Sequence, residues 1–499
     1  MSQTFDDTNR QILPRWYPFG IASQLGDLEP VAERETPKIS SPMAFAVKAE
    51  EWRQKRTLAH ALDVVGTALV SGAFHDHDGR EAAGFVSASA ESEHSLGRQI
   101  AESYLRGGRT PTPSQVDLPF EELANRATIA HLRALTRRFP RSPIVWADLA
   151  YRYALAGEKS KSVRSMDIAV FLAPDNRFIL RSAARCFLHL DQADKSLYYL
   201  RRSPLSRRDP WLISPEVAIS ESLGRSSRLI RAGRTIIGDA NLSPWAINEL
   251  VATLSTLEAR HGSARKAKKL IPQALQDPNE NTVAQIEWLG VALRQEVARP
   301  SQIVVATYEA DARRSLRAGE FEQALGYAKG WCRFQPFASR PVILASYIAA
   351  VCLQDDEEAL AILERAEATA PDSFLIKNNH AFSLASLNRV ADAAKVQQSI
   401  DQASLRARER STFAATRGLI EFRKGDLQEG RRLYAKAISD LKNVGDYRGA
   451  TIATLFLARE ELRVSSPVGE AVLSSAREMA LSYEVKEAVR YADTLARQG

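Results

Sequence analysis

Residues Pro143 to Pro174 read PIVWADLAYRYALAGEKSKSVRSMDIAVFLAP, and the reading of this stretch decides the fold. Trp146, Leu149 and Tyr153 stand three and four residues apart, so on a helix they share one face. Gly157 falls where that helix would end, at a position where a positive φ is cheap for glycine. Met166 and Ala169 then begin the apolar stripe of a second helix. Pro174 stops it, because proline has no amide hydrogen to continue the ladder. The stretch predicts helix, tight turn and helix, with the two apolar faces turned towards each other.

The pattern returns downstream. Arg317-Ala318-Gly319-Glu320-Phe321 leads into Ala324, Ala328 and Pro336, and Ala359, Leu363, Ala366 and Pro371 fall at the same offsets in the next unit. Asn378-Asn379-His380-Ala381-Phe382 runs to Ala393, and Gly418 precedes Lys424-Gly425-Asp426, Tyr434 and Ala437. Weaker copies lie around Leu180 to Leu200 and Gly262 to Pro278. Units starting at Pro143, Val305, Arg340, Phe374 and Ser411 keep nearly one period. In length and residue pattern the unit resembles the tetratricopeptide repeat, of about 34 residues. The resemblance spans residues 142–438, and residues 1–140 show no match. It implies an all-α, tetratricopeptide-like helical-repeat solenoid, a right-handed superhelix, with an irregular helical N-terminal region.

Residues 1–41 read as an extended segment, broken by prolines at 14, 18, 30 and 37. Within it Ile12-Leu13-Pro14-Arg15-Trp16-Tyr17-Pro18-Phe19 is apolar. Such a run is expected to dock in a groove of its own chain, or else on a partner. Residues 42–140 hold three helical stretches, 42–71, 80–105 and 120–139, forming a cap or degenerate repeats. Gly107 to Pro113 reads as a flexible loop. Residues 141–300 carry repeats that are irregular in the middle, where Pro204, Pro210, Pro215, Pro272 and Pro278 interrupt the period and a bend is expected. Residues 301–440 are regular repeats, and 441–499 a C-terminal helical repeat and cap.

No secretory signal opens the chain, and no apolar run reaches the ~18 residues that span a bilayer. Cys186, Cys332 and Cys352 are odd in number and far apart, which argues against a disulfide framework or a zinc site. A reducing cytoplasm is the compartment these features suggest. The excess of Arg over Lys, 51 to 16, suggests a GC-rich bacterial genome.

The net charge of +7 is concentrated. Residues 201–270 hold 13 Lys plus Arg against 6 Asp plus Glu, a surplus of +7, so the remainder sums to zero. Arg225, Arg228, Arg231 and Arg234 recur every third residue, and Arg265, Lys266, Lys268 and Lys269 close the block. A solvated outer helix face accounts for such a run, while an acidic partner or a phosphate backbone is the functional alternative.

Catalytic chemistry finds little support. His75-Asp76-His77-Asp78 is a dense set of metal-ligand types, but it sits between two helices, where polar residues make turns, and nothing nearby completes a site. No metal, cofactor or catalytic residue is assigned. Phosphate-binding glycine loops are missing from the sequence, and the chain reads as a non-enzyme.

Partner binding is expected instead on the inner surface. In the repeat family that this chain resembles, certain positions of the first helix of each pair line the concave groove. Carried over, they point to Tyr151, Glu309, Arg313, Asn378 and Phe382 as exposed groove residues. Some members clamp a peptide carboxylate with Lys, Arg and Asn. Only Asn378 and Arg313 match part of that set, in non-adjacent units, which speaks against such a clamp here. The leading expectation is an interaction scaffold or adaptor for a protein or peptide partner. The alternatives are nucleic-acid binding through the basic block and a regulatory or sensor subunit of a bacterial multi-component system.

Overall fold

The computed structural model describes residues 16, 18, 42–71, 73, 76–89, 96–105, 122–239, 241–295, 297, 304, 306–367 and 373–498. Among these the regular elements are all helical and no strand occurs. His75, Val305, Pro371 and the loop Gly107 to Pro113 lie outside the described residues. The chain divides into two compact units, one of residues 7–310 and one built on residues 311–499.

The first unit opens with α1 (Pro42–Gln54), α2 (Leu58–Ser71), α3 (His77–Ala88), α4 (Leu96–Leu105) and α5 (Glu122–Arg138). Two of the expected stretches are each divided. The first breaks at Lys55 to Thr57, where the Thr57 hydroxyl accepts from the amide of His60 and starts a new helix. The second starts at His77, earlier than expected, because Asp76 caps α3 by accepting from the amides of Asp78 and Gly79, and it gives two helices, α3 and α4. Trp52, Val64, Val65, Val86 and Tyr104 form the core of this group.

Helix pairs follow: α6 (Pro143–Leu155) with α7 (Lys159–Leu172), α8 (Arg177–His189) with α9 (Ala193–Arg202), α10 (Pro210–Ser222) with α11 (Ile230–Ile236), α12 (Pro244–His261) with α13 (Ala264–Ala274), and α14 (Glu280–Ala292). Leu149, Tyr153, Met166 and Ala169 are buried as their spacing requires. Trp146 is half-buried beside Leu132 and Phe139, and its indole donates to the Pro140 carbonyl at 2.9 Å. Pro215 and Pro272 lie inside helices. Buried neighbours on both sides of each, Ser214 and Glu216, Ile271 and Ala274, hold the helix through the one amide that proline lacks.

α15 (Tyr308–Ala318) begins in the first unit and continues into the second, which further comprises α16 (Phe321–Phe334), α17 (Ser339–Tyr347) ending in a π turn, Ile348–Cys352, α18 (Asp356–Glu367), α19 (Phe374–Ser386), α20 (Val390–Gln398), α21 (Ala407–Lys424), α22 (Leu427–Asn443), α23 (Tyr447–Arg463), α24 (Gly469–Ser482) and α25 (Lys486–Gln498).

Two features repeat with the period. The turn inside seven of the pairs holds one residue at positive φ: Gly157 (72°), Asp191 (61°), Gly224 (67°), Gly319 (88°), Gln354 (61°), Asn388 (62°) and Gly425 (95°). The second helix also donates a serine hydroxyl to the first, Ser162 to the Ala150 carbonyl (2.7 Å) and Ser196 to that of Ala184 (3.1 Å). Close helix approach is set by glycine where α21 meets α22. A Cβ at Gly430 would come within 2.5 Å of the Phe422 ring, and one at Gly418 within 2.9 Å of Tyr434.

Replacing glycine by alanine inside a helix ordinarily stabilises it by up to ~1 kcal/mol. Gly430→Ala is expected to do the reverse, lowering stability by ~1–2 kcal/mol, because overpacking against a buried ring outweighs propensity. Thermal denaturation of the variant beside the parent reads the sign.

Candidate binding surfaces

In the first unit α6, α8, α10, α12 and α14 are neighbours in that order, so their inward residues form one continuous face. Its charges pair across helices. Arg177 on α8 meets Asp209, the cap of α10, at 2.9 Å, and Arg181 meets Glu249 of α12 at 2.7 Å. Burial pushes the Asp209 carboxyl up and the Arg177 guanidinium down, so desolvation outweighs their attraction. At Glu249 burial also raises the carboxyl, but Arg181 and Arg185 together with the hydrogen bond from the Asn279 side chain bring it below the usual range. At Asp209 burial prevails over Arg177 and Arg181, whereas at Glu249 the arginines and the Asn279 amide outweigh it.

Aromatic rings run along one end of the same face. Phe178, Trp211 and Trp245 each occupy the second position of their helix. Trp211 meets Phe178 edge-on at 6.0 Å and Trp245 at 4.6 Å. Arg177 and Arg181 lie over the Trp211 ring at 4.0 and 4.7 Å, in cation–π range. Phe178 remains 51% exposed. Further along, Trp16 is fully buried. Its indole N–H donates to Ser182 Oγ at 2.9 Å, and its ring meets Tyr151 edge-on at 5.2 Å. The leading segment therefore sits, at this residue, on the inner face of α6 and α8.

The second unit fills its inner face differently. α17, α19, α21 and α23 are neighbours in order, and α25 contacts α23 and the π turn after α17. The Tyr347 hydroxyl donates to Glu487 at 2.7 Å, Arg448 also binds Glu487, and Tyr491 meets Phe456 edge-on at 5.7 Å. Beneath α25 three arginines converge on one carboxylate. Glu460, fully buried, accepts from Arg423 at 2.7 and 3.0 Å, from Arg459 at 2.9 Å and from Arg463 at 3.2 Å. Burial alone would raise this carboxyl, yet Arg459, Arg423 and Arg463 hold it below the usual range. Nearby Asp356 has no such set, and burial pushes it up to about 6 despite the attraction of Arg459.

All five expected groove residues are buried: Tyr151 (7% exposed), Glu309 (2%), Arg313 (7%), Asn378 (0%) and Phe382 (1%). The expectation of exposure is corrected by particular covers. Trp16 lies on Tyr151, and Phe456 and Arg459 of α23 lie against Phe382 at 4.7 and 5.6 Å. Ser182, Arg181, Glu249, Arg423 and Glu460 went unread. Some partners lie one repeat away, 32 residues for Arg177 and Asp209 and 37 for Arg423 and Glu460, while Arg181 and Glu249 are 68 residues apart and Ser182 meets Trp16 across 166. An arginine facing an acid one period later is the signal that would have found such pairs.

The basic block divides. Arg225 pairs with Asp194, and Arg234 with Glu258 at 2.7 Å. Arg228, Arg231, Arg265, Lys266, Lys268 and Lys269 are exposed and meet no acid among the described residues. They lie on α13 and on α11 and the turn leading into it. Gln273 ties these two helices by donating to the Ile237 carbonyl at 2.8 Å.

His77, Asp78 and Glu81 bring ligand atoms within 4.8 Å of one another, a trio that includes Glu81, unread in the sequence. Both carboxylates already hold arginines, Asp78 with Arg53 at 2.7 Å and Glu81 with Arg56 at 2.8 Å. Burial raises the thiols of Cys186, Cys332 and Cys352, that of Cys332 to about 12. None of the three is a thiolate at neutral pH. No helix among the described residues is long and apolar enough to cross a membrane.

No protein-family model matches the chain, and no curated protein matches it. Solved structures similar to it include yeast Tom70 (12% identity, covering 76% of this chain and 93% of that one, TM-score 0.28). The human IFIT1 dimer with PPP-AAAA is similar at 13% identity (88% and 100% covered, TM-score 0.34). So is the APC/C hetero-tetramer Cut9-Hcn1, at 11% identity (90% and 92%, TM-score 0.34). The repeat architecture described above rests on the helix pairs themselves.

Two substitutions test the electrostatics. Asp356 binds its proton more tightly folded, at about 6, than at its ordinary 3.8. Its contribution is complete below about pH 4 and lost as pH rises through 6. Asp356→Asn is therefore expected to raise the melting temperature at about pH 8, with a gain of roughly 2–3 kcal/mol, and to leave it unchanged near pH 4. Glu460→Gln should have the opposite effect at neutral pH, a loss of ~3–5 kcal/mol, because it leaves buried arginines without their carboxylate. Melting curves of both variants across that pH range check the two signs.

Proposed function

We propose that the chain is a non-enzymatic interaction scaffold that binds a protein or peptide partner along the inner faces of its helix pairs. The observation that supports this is the seating of Trp16: the inner face of α6 and α8 already receives a side chain from a remote part of the chain. The exposed ring of Phe178, continuous with Trp211 and Trp245, offers apolar area beside arginines, and aromatic side chains and arginine are the residue types that dominate binding energy at interfaces. The raised thiols and arginine-paired carboxylates favour a binding role over catalysis. The test places a photo-crosslinking phenylalanine analogue at Phe178 and, separately, at Phe171, which is 83% exposed on the outer helix α7. After capture from the native host, a stoichiometric partner should crosslink from position 178 and not from 171. Crosslinks from 171 alone, or no stoichiometric partner, would sink the reading.

A second reading is carried by the six unpaired cations of the basic block. Four of them occupy the first turns of α13, where positive charge opposes the helix dipole, so helix stability does not explain them. Nucleic acid held there is expected to bind without sequence preference. With about four phosphate contacts its affinity should fall roughly 100-fold between about 50 and 200 mM salt. Charge reversal at Arg228, Arg231, Lys266 and Lys269 should abolish it while partner capture at position 178 persists. Filter binding at several salt concentrations measures the slope.

A further inference from the structure

Trp16 reaches its acceptor across 166 residues of sequence, and the seat it occupies belongs to two helices that pack on each other without it. The seat makes two demands. Ser182 Oγ, on a residue only 4% exposed, accepts the indole N–H, and the Tyr151 ring needs an aromatic edge against it. Tryptophan meets both demands, whereas phenylalanine meets only the second and leaves a buried hydroxyl without its donor. In the sequence Pro14 and Pro18 stand two residues to either side of Trp16, and Pro18 is half-buried. Proline restrains its neighbours to extended backbone and lowers the entropy lost on docking.

From this we infer that the seat of Tyr151 and Ser182 is a peptide-binding site for an extended, proline-flanked tryptophan, and that Trp16 is its tethered resident. The inference rests on the interaction reading above and names the ligand class. A tethered segment competes at an effective concentration in the millimolar range. A partner segment that binds the empty seat at ~10 μM would therefore bind the intact chain on the order of 100-fold more weakly. A partner gains access by carrying a better-fitting segment or by drawing the resident away.

The probe is a fluorescein-labelled peptide of the chain's own residues Arg10 to Gly20, titrated by anisotropy against full-length protein. Binding to the Trp16→Ala chain should be at least 10-fold tighter than to the parent. Adding Ser182→Val should weaken it roughly 10-fold, as should phenylalanine in place of tryptophan in the peptide. Should Trp16→Ala fail to give the parent's circular dichroism, Trp16→Phe, which keeps the ring and loses the donor, carries the test and should also bind tighter than the parent. Equal binding to parent and variant, or indifference to Ser182→Val, would overturn the inference. Crosslinking of a partner from position 178 would then still stand, so failure here is separable from failure of the scaffold reading.

Discussion

The helix pairs of this chain hold together because small residues on one helix let large ones on the next come into van der Waals contact. Gly430 admits the ring of Phe422 and Gly418 that of Tyr434. Ala324, Ala328, Ala359 and Ala393 are fully buried at comparable places in other units. With the apolar faces this close, the serine hydroxyls of α7 and α9 reach the carbonyls of α6 and α8. Everything that lines the inner face is placed by this spacing.

The inner faces are polar and buried together, which is an expensive combination. The chain meets it by pairing charges between successive repeats. At Asp209 desolvation prevails over Arg177 and Arg181. At Glu249 and Glu460 the surrounding arginines outweigh burial, and the ionised form wins. These clusters also fix register, since sliding one helix pair past the next would separate a buried carboxylate from its arginines.

The repeat was legible wherever local signals carry it: the stripe of Leu149 and Tyr153, the small residues of the second helix, and glycine in the turn. It faded around Leu180 to Leu200, where the same turn is made by Asp191, because a side chain tolerated at positive φ conceals a conformation that glycine advertises. The division of residues 42–71 hung on a single hydroxyl, that of Thr57. Of the expected groove positions, Tyr151 meets Trp16 edge-on. Its exposure was unreadable, because what covers a residue depends on segments far away in sequence. Trp16 lies 166 residues from Ser182, and Glu487 lies 140 from Tyr347.

α25 does more than cover an inner face. Lys486 donates to the Arg317 carbonyl at 2.8 Å, and Arg490 meets Glu322 at 3.0 Å and stands over the Phe321 ring. The last helix of the second unit thus grips its first pair. An ordinary repeat array is a line whose stability sums over nearest neighbours, and a line frays from its ends. Joined this way, the last helix of the second unit is tied to its first pair, so peeling α25 away must break contacts at both ends of the array.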